Sequence, residues 1–182
     1  MTKIFIDGSQ GTTGLKIFDR LAKREDIELI TLPEKLRKDT NARKEALNSA
    51  DIAFLCLPDA AAIEAVSLIE NENTIVIDTS TAHRTDDGWA YGFPELSEEM
   101  ETKLKNSKRI AVPGCYASGF IALVYPLIEA GILNEAENLS CFSLTGYSGG
   151  GKKMIADYES PEREEEIRIY AHKHTPLIDE IL

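Results

Sequence analysis

The stretch Gly8-Ser9-Gln10-Gly11-Thr12-Thr13-Gly14 decides the fold, because it places three glycines between a predicted strand and a predicted helix. The strand, over residues 3–7, is rich in Ile and Phe, and the helix carries apolar residues from Leu15 to Leu21. Glycines there permit a tight turn and let backbone N–H groups approach a pyrophosphate at the helix N-terminus. The seven residues are therefore predicted to bind a dinucleotide, with a purely structural turn as the alternative.

Further strands follow at the spacing of a parallel sheet. Nearly continuous apolar runs, typical of strands covered by helices on both faces, predict strands over 27–32, 52–57, 74–78 and 109–112. An alanine-rich helix is predicted over 60–70. We expect the strand ends, with Pro58 and Ser80, to line the crevice that holds the cofactor. The predicted fold class is α/β, with a Rossmann-type parallel sheet.

The residues after the second predicted strand indicate which cofactor is preferred. Pro33-Glu34-Lys35-Leu36-Arg37-Lys38 contains no clear acid to bind a ribose hydroxyl. The side chains of Lys35 and Arg37 suit the extra 2′-phosphate of NADP instead. We predict NADP rather than NAD, and a solvated charged loop is the alternative.

Cys115 is the candidate nucleophile. It follows Val112-Pro113-Gly114, and apolar residues at helical spacing over 120–128, stopping at Gly131, put it at or just before the first turn of a helix. The positive end of a helix favours the thiolate, which is the reactive form of cysteine. The alternative is a small buried residue. That alternative is what we expect of Cys56 and Cys141, because each lies within an apolar run that resembles a strand.

His83 and Arg84 follow the strand predicted over 74–78 and allow two interpretations. A histidine and an arginine adjacent in a loop are more often a solvated pair than a catalytic one. Both nevertheless follow a strand end that faces the predicted crevice. Arg84 is therefore retained as a candidate for binding an anionic substrate.

The second half of the chain contains a glycine-rich candidate for anion binding. A strand predicted over 138–144 leads into a segment with three successive glycines and two lysines. Backbone N–H groups and lysine charge can hold an anion there, and a flexible hairpin tip is the alternative. Residues 157–166 are expected to form a solvated linker. The candidate substrate-binding residues of the segment are Ser148, Gly149, Gly150 and Lys152.

His172 and His174 lie near the end of the chain in an alternating run that predicts a strand. Residues two apart on a strand point to the same face, so either imidazole could assist Cys115. An exposed polar strand is the alternative.

Composition narrows the class of protein. The chain has 182 residues and a formal net charge of −11, which disfavours nucleic acid as a partner. We find no apolar stretch of the roughly 18 residues needed to cross a bilayer and no signal-peptide core, so a cytoplasmic protein without membrane association is expected. Three cysteines without a CxxC pair argue against a disulfide framework and against a structural metal site.

Together these motifs resemble the N-acetyl-γ-glutamyl-phosphate reductases of arginine biosynthesis, in particular their shorter type. The blocks that carry the resemblance stand in the family's order: Gly8 to Gly14, Asp78-Thr79-Ser80-Thr81-Ala82-His83-Arg84, Tyr91-Gly92-Phe93-Pro94-Glu95-Leu96, Pro113-Gly114-Cys115-Tyr116, Gly146-Tyr147-Ser148-Gly149-Gly150-Gly151-Lys152 and His172-Lys173-His174-Thr175-Pro176.

The resemblance implies two domains. Residues 1–114 would form a Rossmann domain that binds NADP. Residues 115–182 would form the first part of an α+β substrate domain, incomplete at the C-terminus because family members continue well past Leu182. Val112 and Leu177 stand where the family pattern leads us to expect Asn and Glu.

The resemblance also implies the chemistry. Cys115 matches the family nucleophile, and either His172 or His174 matches its acid/base. The implied reaction is NADPH-dependent reduction of N-acetyl-γ-glutamyl phosphate to the semialdehyde, with release of inorganic phosphate through a cysteine thioester, in a homo-oligomer. Alternatives are the same mechanism on aspartyl or aminoadipyl phosphate, and a non-catalytic NADP-binding fragment.

Overall fold

The computed structural model describes residues 1–134, 138–144, 146, 149 and 151–162. The chain divides into two compact units, Met1–Gly114 and Cys115–Leu182. His172, His174, Ser148 and Gly150 lie outside the described residues, so the predictions that concern them stay predictions.

The first unit is built on one parallel sheet of six strands in the order β2-β1-β3-β4-β6-β5. Because β1 lies between β2 and β3, the connection from β1 to β2 and the connection from β2 to β3 run in opposite directions across the sheet. The carboxyl ends of β1 and β3 therefore border a crevice of the kind that binds nucleotides in this class of fold. The predicted Rossmann-type sheet is confirmed. The strands are β1 (Thr2–Asp7), β2 (Ile27–Ile30), β3 (Ile52–Leu55), β4 (Ile75–Asp78), β5 (Ala90–Tyr91) and β6 (Arg109–Ala111).

Helices cover both faces of this sheet, as the apolar strands require. Alternate residues of β1 point to opposite faces, so Ile4 and Ile6 pack with Phe18 of α1, whereas Phe5 packs with Leu47 of α2. The helix that we expected over 60–70 is shorter, and it starts at Asp59. The helices of the unit are α1 (Thr12–Leu21), α2 (Thr40–Ser49), α3 (Asp59–Ser67) and α4 (Glu98–Asn106).

Sequence analysis missed two elements of this unit, the helix α2 and the edge strand β5. Ala90 and Tyr91 pair in parallel with Ile110 and Ala111 of β6. Trp89, immediately before β5, is buried in the core. The segment after β4 therefore returns to the sheet instead of remaining an irregular loop.

The second unit contains α5 (Cys115–Glu129) and α6 (Gly151–Glu159). Ala117, Ile121 and Val124 form the buried stripe of α5 at spacings of four and three residues. Gly131, with φ +66°, follows the end of the helix as expected of a residue in the left-handed region.

Three predictions about the second unit are wrong. Residues 138–144 form no strand in the part of the chain that the structure describes. Cys141, which we expected to be buried in that strand, is exposed. Residues 157–159, expected to begin a linker, belong instead to α6.

Among the described residues, no helix has the length and apolar character needed to cross a bilayer.

Candidate functional site

The glycine-rich turn joins β1 to α1 through backbone contacts too close for side chains. A Cβ atom on Gly8, whose φ is +84°, would lie 2.2 Å from the carbonyl oxygen of Cys56 at the end of β3. A Cβ atom on Gly14 would lie 2.3 Å from the carbonyl oxygen of Gly8. The Gly11 N–H donates to that same oxygen at 2.9 Å. The turn therefore packs backbone against backbone and has no room for a side chain at Gly8 or Gly14.

This turn has the features that a pyrophosphate site requires. It stands at the carboxyl ends of the adjacent strands β1 and β3, and it opens directly into α1. The N-cap of α1 is Gly11, which has no side chain to occupy the first-turn N–H groups. An anion placed there would meet backbone donors and the positive end of a helix. The residues of the turn fit a dinucleotide.

A buried ion pair supports β1 directly before the turn. The Arg43 Nε donates to the Asp7 carboxylate at 3.0 Å, and the Arg43 Nη1 lies 3.4 Å from the carboxylate of Glu64 on α3. Burial raises the pKa of Asp7 above its usual value, although the charge of Arg43 opposes this shift. Sequence analysis missed the pair. The available signal was that Arg43 shares the apolar face of α2 with Ala46 and Leu47.

The carboxyl end of β4 carries a buried polar cluster around Asp78, whose side chain is fully buried. Its carboxylate accepts hydrogen bonds from the Ser80 N–H at 2.9 Å, from the Ser80 hydroxyl at 2.6 Å and from His83 Nδ1 at 2.7 Å. The His83 ring stacks on Trp89 with centroids 4.2 Å apart. The interpretation of His83 as part of a solvated pair is wrong, because loop closure brings it against Asp78 and Trp89.

Arg84 is hydrogen-bonded to the backbone segment that leads to Cys115. Its Nε donates to the carbonyl oxygen of Val112 at 2.9 Å, and its Nη2 donates to the carbonyl oxygen of Thr79 at 3.3 Å. A Cβ atom on Gly114 would lie 2.4 Å from Arg84 Nη1, so a larger residue there would displace the guanidinium. The expected solvated state of Arg84 is thus also wrong, and its role toward a substrate stays a prediction.

The three cysteines differ in accessibility and position. Cys115 is exposed and is the first residue of α5. Cys56 is half-buried at the end of β3, where burial raises the pKa of its thiol to about 11. Cys141 is exposed but lies in neither a helix nor a strand. Cys115 alone combines an accessible thiol with a helix start, which is the environment of reactive cysteines.

The remaining predicted site residues lie on exposed parts of the surface. Lys35 is in a short 3₁₀ helix after β2, and Arg37 follows that helix; both side chains are exposed. Pro58 is the exposed N-cap of α3. In the second unit, Lys152 is exposed in the first turn of α6.

The backbone just before α6 is tightly turned. The Gly149 N–H donates to the Gly146 carbonyl oxygen at 3.0 Å. The glycine-rich segment thus enters a helix, whereas sequence analysis expected a loop.

Among the described residues, no group of three or more His, Cys, Asp or Glu side chains could hold a metal ion.

Two family models match this chain. The family model described as "Semialdehyde dehydrogenase, NAD binding domain" matches residues 33–103, and that described as "Semialdehyde dehydrogenase, dimerisation domain" matches residues 115–182. In solved structures, the chain resembles aspartate semialdehyde dehydrogenase from Francisella tularensis, with a TM-score of 0.63, 17% identity and coverage of 86% of this chain and 48% of that one. The enzyme from Candida albicans, solved with NADP, gives a TM-score of 0.50 at 16% identity over 73% of this chain and 48% of that one. These two likenesses concern the fold.

Sequence similarity is much higher to one group of reductases. The chain is 52% identical to the N-acetyl-gamma-glutamyl-phosphate reductase of Chelativorans sp. over 96% of its own length. It is 50% identical to N-acetyl-gamma-glutamyl-phosphate reductase 2 of Pseudomonas putida over 97% of its length. It spans 58% of the length of each of these relatives. The chain belongs to the semialdehyde dehydrogenase family, in the group formed by the N-acetyl-γ-glutamyl-phosphate reductases.

Proposed function

We propose that this chain carries the cofactor-binding and nucleophile-bearing parts of an NADPH-dependent reductase that converts N-acetyl-γ-glutamyl phosphate to N-acetylglutamate semialdehyde and inorganic phosphate. The observation that carries the proposal is the position of Cys115, exposed at the first residue of α5. Sequence identities of 52% and 50% to N-acetyl-gamma-glutamyl-phosphate reductases support N-acetyl-γ-glutamyl phosphate as the substrate over aspartyl or aminoadipyl phosphate.

Cys115 performs the covalent step in this proposal. Its thiolate attacks the acyl carbon, the carbon–oxygen bond to phosphate breaks, and inorganic phosphate leaves a thioester on the cysteine. A bound reduced nicotinamide cofactor supplies the hydride for the second half of the reaction. Backbone N–H groups at the start of α5 stabilise the negative oxygen that develops when the acyl carbon becomes tetrahedral.

Proton transfer and substrate binding fall to other residues. We assign the acid/base role to His172 or His174, since an imidazole gives and takes protons near neutral pH. Lys152, with the backbone of Ser148, Gly149 and Gly150, would bind an anionic group of the substrate. This assignment rests on the exposed lysine in the first turn of α6.

The cofactor belongs to the first unit. Residues 1–114 would bind NADP through the turn from Gly8 to Gly14, with Pro58 and Ser80 lining the crevice at the strand ends. Lys35 and Arg37, both exposed after β2, would pair with the 2′-phosphate. Residues 115–182 would contribute to the substrate domain.

The setting of the protein is proposed on the same basis. We assign it to the cytoplasm, without nucleic-acid or membrane partners, as a homo-oligomer. The match of residues 115–182 to a dimerisation domain supports self-association.

The decisive experiment measures phosphate-dependent reduction of NADP with N-acetylglutamate semialdehyde. We expect Cys115→Ser to abolish turnover and to leave NADPH binding, followed by fluorescence titration, within twofold. Cys141→Ser is the matched control, because this thiol is also exposed but lies outside any helix or strand. NADPH binding without turnover, by this chain and by any longer product of the same gene, would reject the reductase and leave a dinucleotide-binding module.

Cofactor choice is tested separately. Removing one charged hydrogen bond to the 2′-phosphate costs about 1.5–3 kcal/mol, so Lys35→Met or Arg37→Met should weaken NADPH at least tenfold and leave NADH unchanged. Lys23→Met removes an exposed lysine elsewhere in the unit and should have no effect. Equal affinity of the unmodified chain for NADH and NADPH would contradict the assignment.

A further inference from the structure

His83, to which the proposed chemistry assigns no role, is held from two sides. Its Nδ1 lies 2.7 Å from the Asp78 carboxylate at the end of β4. Its ring stacks on Trp89, directly before β5, at an interplanar angle of 14°. The loop that carries His83 is therefore tied both to a central strand and to the edge of the sheet.

The arrangement differs from that of a nucleophile, base and acid. In such a triad the serine hydroxyl contacts the histidine ring, which in turn contacts the carboxylate. Here the Ser80 hydroxyl and His83 Nδ1 both bond to the same Asp78 oxygen, Oδ2, at 2.6 and 2.7 Å. Asp78 is fully buried, and His83 is only 7% exposed. The cluster thus ties the loop that carries His83 to the end of β4.

The next residue in the loop reaches the segment before the nucleophile. Arg84 donates to the Val112 carbonyl oxygen, and its guanidinium lies against Gly114. The Val112 N–H donates to the Asp78 carbonyl oxygen at 2.8 Å. The backbone of residues 112–114 is thus held from the end of β4 and from Arg84, and Gly114 leads directly into Cys115.

We propose that His83 is a positioning residue that, through its hydrogen bond to Asp78, fixes the loop so that Arg84 holds residues 112–114 and sets the start of α5. Its importance for catalysis rests on the proposed role of Cys115. The placement of the loop itself does not.

Two substitutions separate the two anchors of His83. His83→Asn keeps an N–H donor close to the position of Nδ1 and loses the stacked ring. His83→Phe keeps the ring on Trp89 and loses the donor. Thr74→Val is the matched control, because it removes a buried hydrogen bond, from Thr74 Oγ1 to the Ala50 carbonyl oxygen at 2.9 Å, just before the opposite end of β4.

The measurements are amide hydrogen exchange and the iodoacetamide alkylation rate of Cys115, resolved by peptide mass from Cys56 and Cys141. We expect His83→Phe to speed exchange over 109–118 about tenfold more than over β1, and to slow Cys115 alkylation about two- to fivefold because the first turn of α5 is loosened. His83→Asn should stay within twofold of the unmodified chain in both. Thr74→Val should leave the alkylation rate unchanged.

Three results would overturn the inference. In His83→Phe, exchange that rises equally across the whole sheet would show that the residue contributes only to global stability. Behaviour of His83→Phe like that of the unmodified chain would show that the hydrogen bond is dispensable. An equal defect in His83→Asn would assign the effect to stacking. Neither measurement needs turnover, so failure of the reductase assay and failure of the positioning role are distinguished.

Discussion

Gly14→Ala sets two known effects against each other within α1. Alanine in a helix is favoured over glycine by about 1 kcal/mol, so propensity alone predicts a more stable protein. In this turn, however, the new Cβ would lie 2.3 Å from the Gly8 carbonyl oxygen and 2.9 Å from the Ser9 Cα. Both contacts are with backbone, which cannot rotate away as a side chain can.

The clash should outweigh the propensity. The Gly8 oxygen would have to move by about 0.7 Å to restore a separation of 3.0 Å, and it accepts the Gly11 N–H. Overpacking of this kind costs about 1–3 kcal/mol, and loss of the hydrogen bond costs about 1 kcal/mol more. After the propensity gain of about 1 kcal/mol is subtracted, Gly14→Ala should lower the free energy of unfolding by about 1–3 kcal/mol.

The assay is urea unfolding followed by tryptophan fluorescence. Trp89 is the single tryptophan of the chain and is buried in the first unit, so its emission reports on this unit. Gly11→Ala is the control in the same turn. Its Cβ would lie 3.3 Å from the Gly8 oxygen at an ordinary φ of −74°, so only the loss from replacing a glycine N-cap by alanine, about 0.5–1 kcal/mol, is expected. Equal or greater stability of Gly14→Ala would refute the close approach of α1 to Gly8.

Three further outcomes follow from the same contacts. Burial raises the pKa of Cys56 from 9.0 to about 11, so its thiolate fraction at pH 8 falls about a hundredfold; native Cys56 should alkylate far more slowly than in urea, and equal rates would contradict this. Because the pKa of Asp7 is raised, the folded protein binds the Asp7 proton more tightly than the unfolded chain does. The stability of the unmodified chain relative to Asp7→Asn should therefore be greatest below about pH 3.8 and decline as pH rises through the pKa of Asp7 in the folded protein. Urea unfolding at several pH values tests this, and a stability difference that grows with pH would contradict it. Gly119→Ala adds a methyl group at an exposed position of α5, where no atom of the described residues outside the neighbouring backbone of the helix lies within 4 Å; urea unfolding followed by circular dichroism should show a gain of about 0.5–1 kcal/mol, and a loss would contradict this.

The first unit was predictable where one residue type is the only one that fits. Glycine is required at position 8 by its φ of +84° and at position 14 by backbone contact, so these glycines predict the turn from the sequence. Five of the six strands were found, but four of these were predicted one or two residues too long. Apolar residues such as Leu32 and Leu57 continue past the last paired residue and pack against the core without joining the ladder.

Sequence analysis missed the polar clusters because their residues follow no periodic pattern in the sequence. His83 meets Asp78 and Trp89 only after the loop turns back to place β5 beside β6. A strand of two residues, Ala90–Tyr91, is too short for an alternating pattern to stand out. Arg43 was detectable in principle, since an arginine on the apolar face of a helix needs a buried partner, but the identity of that partner, Asp7, is set by tertiary packing.

The errors in the second unit have a different cause, which concerns what an apolar pattern can specify. Alternating apolar residues over 138–144 show that a strand could form, yet a strand is stabilised by a neighbouring strand and by burial of one face. In the described part of the chain no strand pairs with this segment, and Phe142 and Leu144 are 89% and 85% exposed. The helix α5 needs no such partner for its backbone, because every internal hydrogen bond is local. The start of α5, which presents Cys115, is therefore encoded by nearby residues, whereas a strand over 138–144 would depend on pairing that local sequence cannot supply.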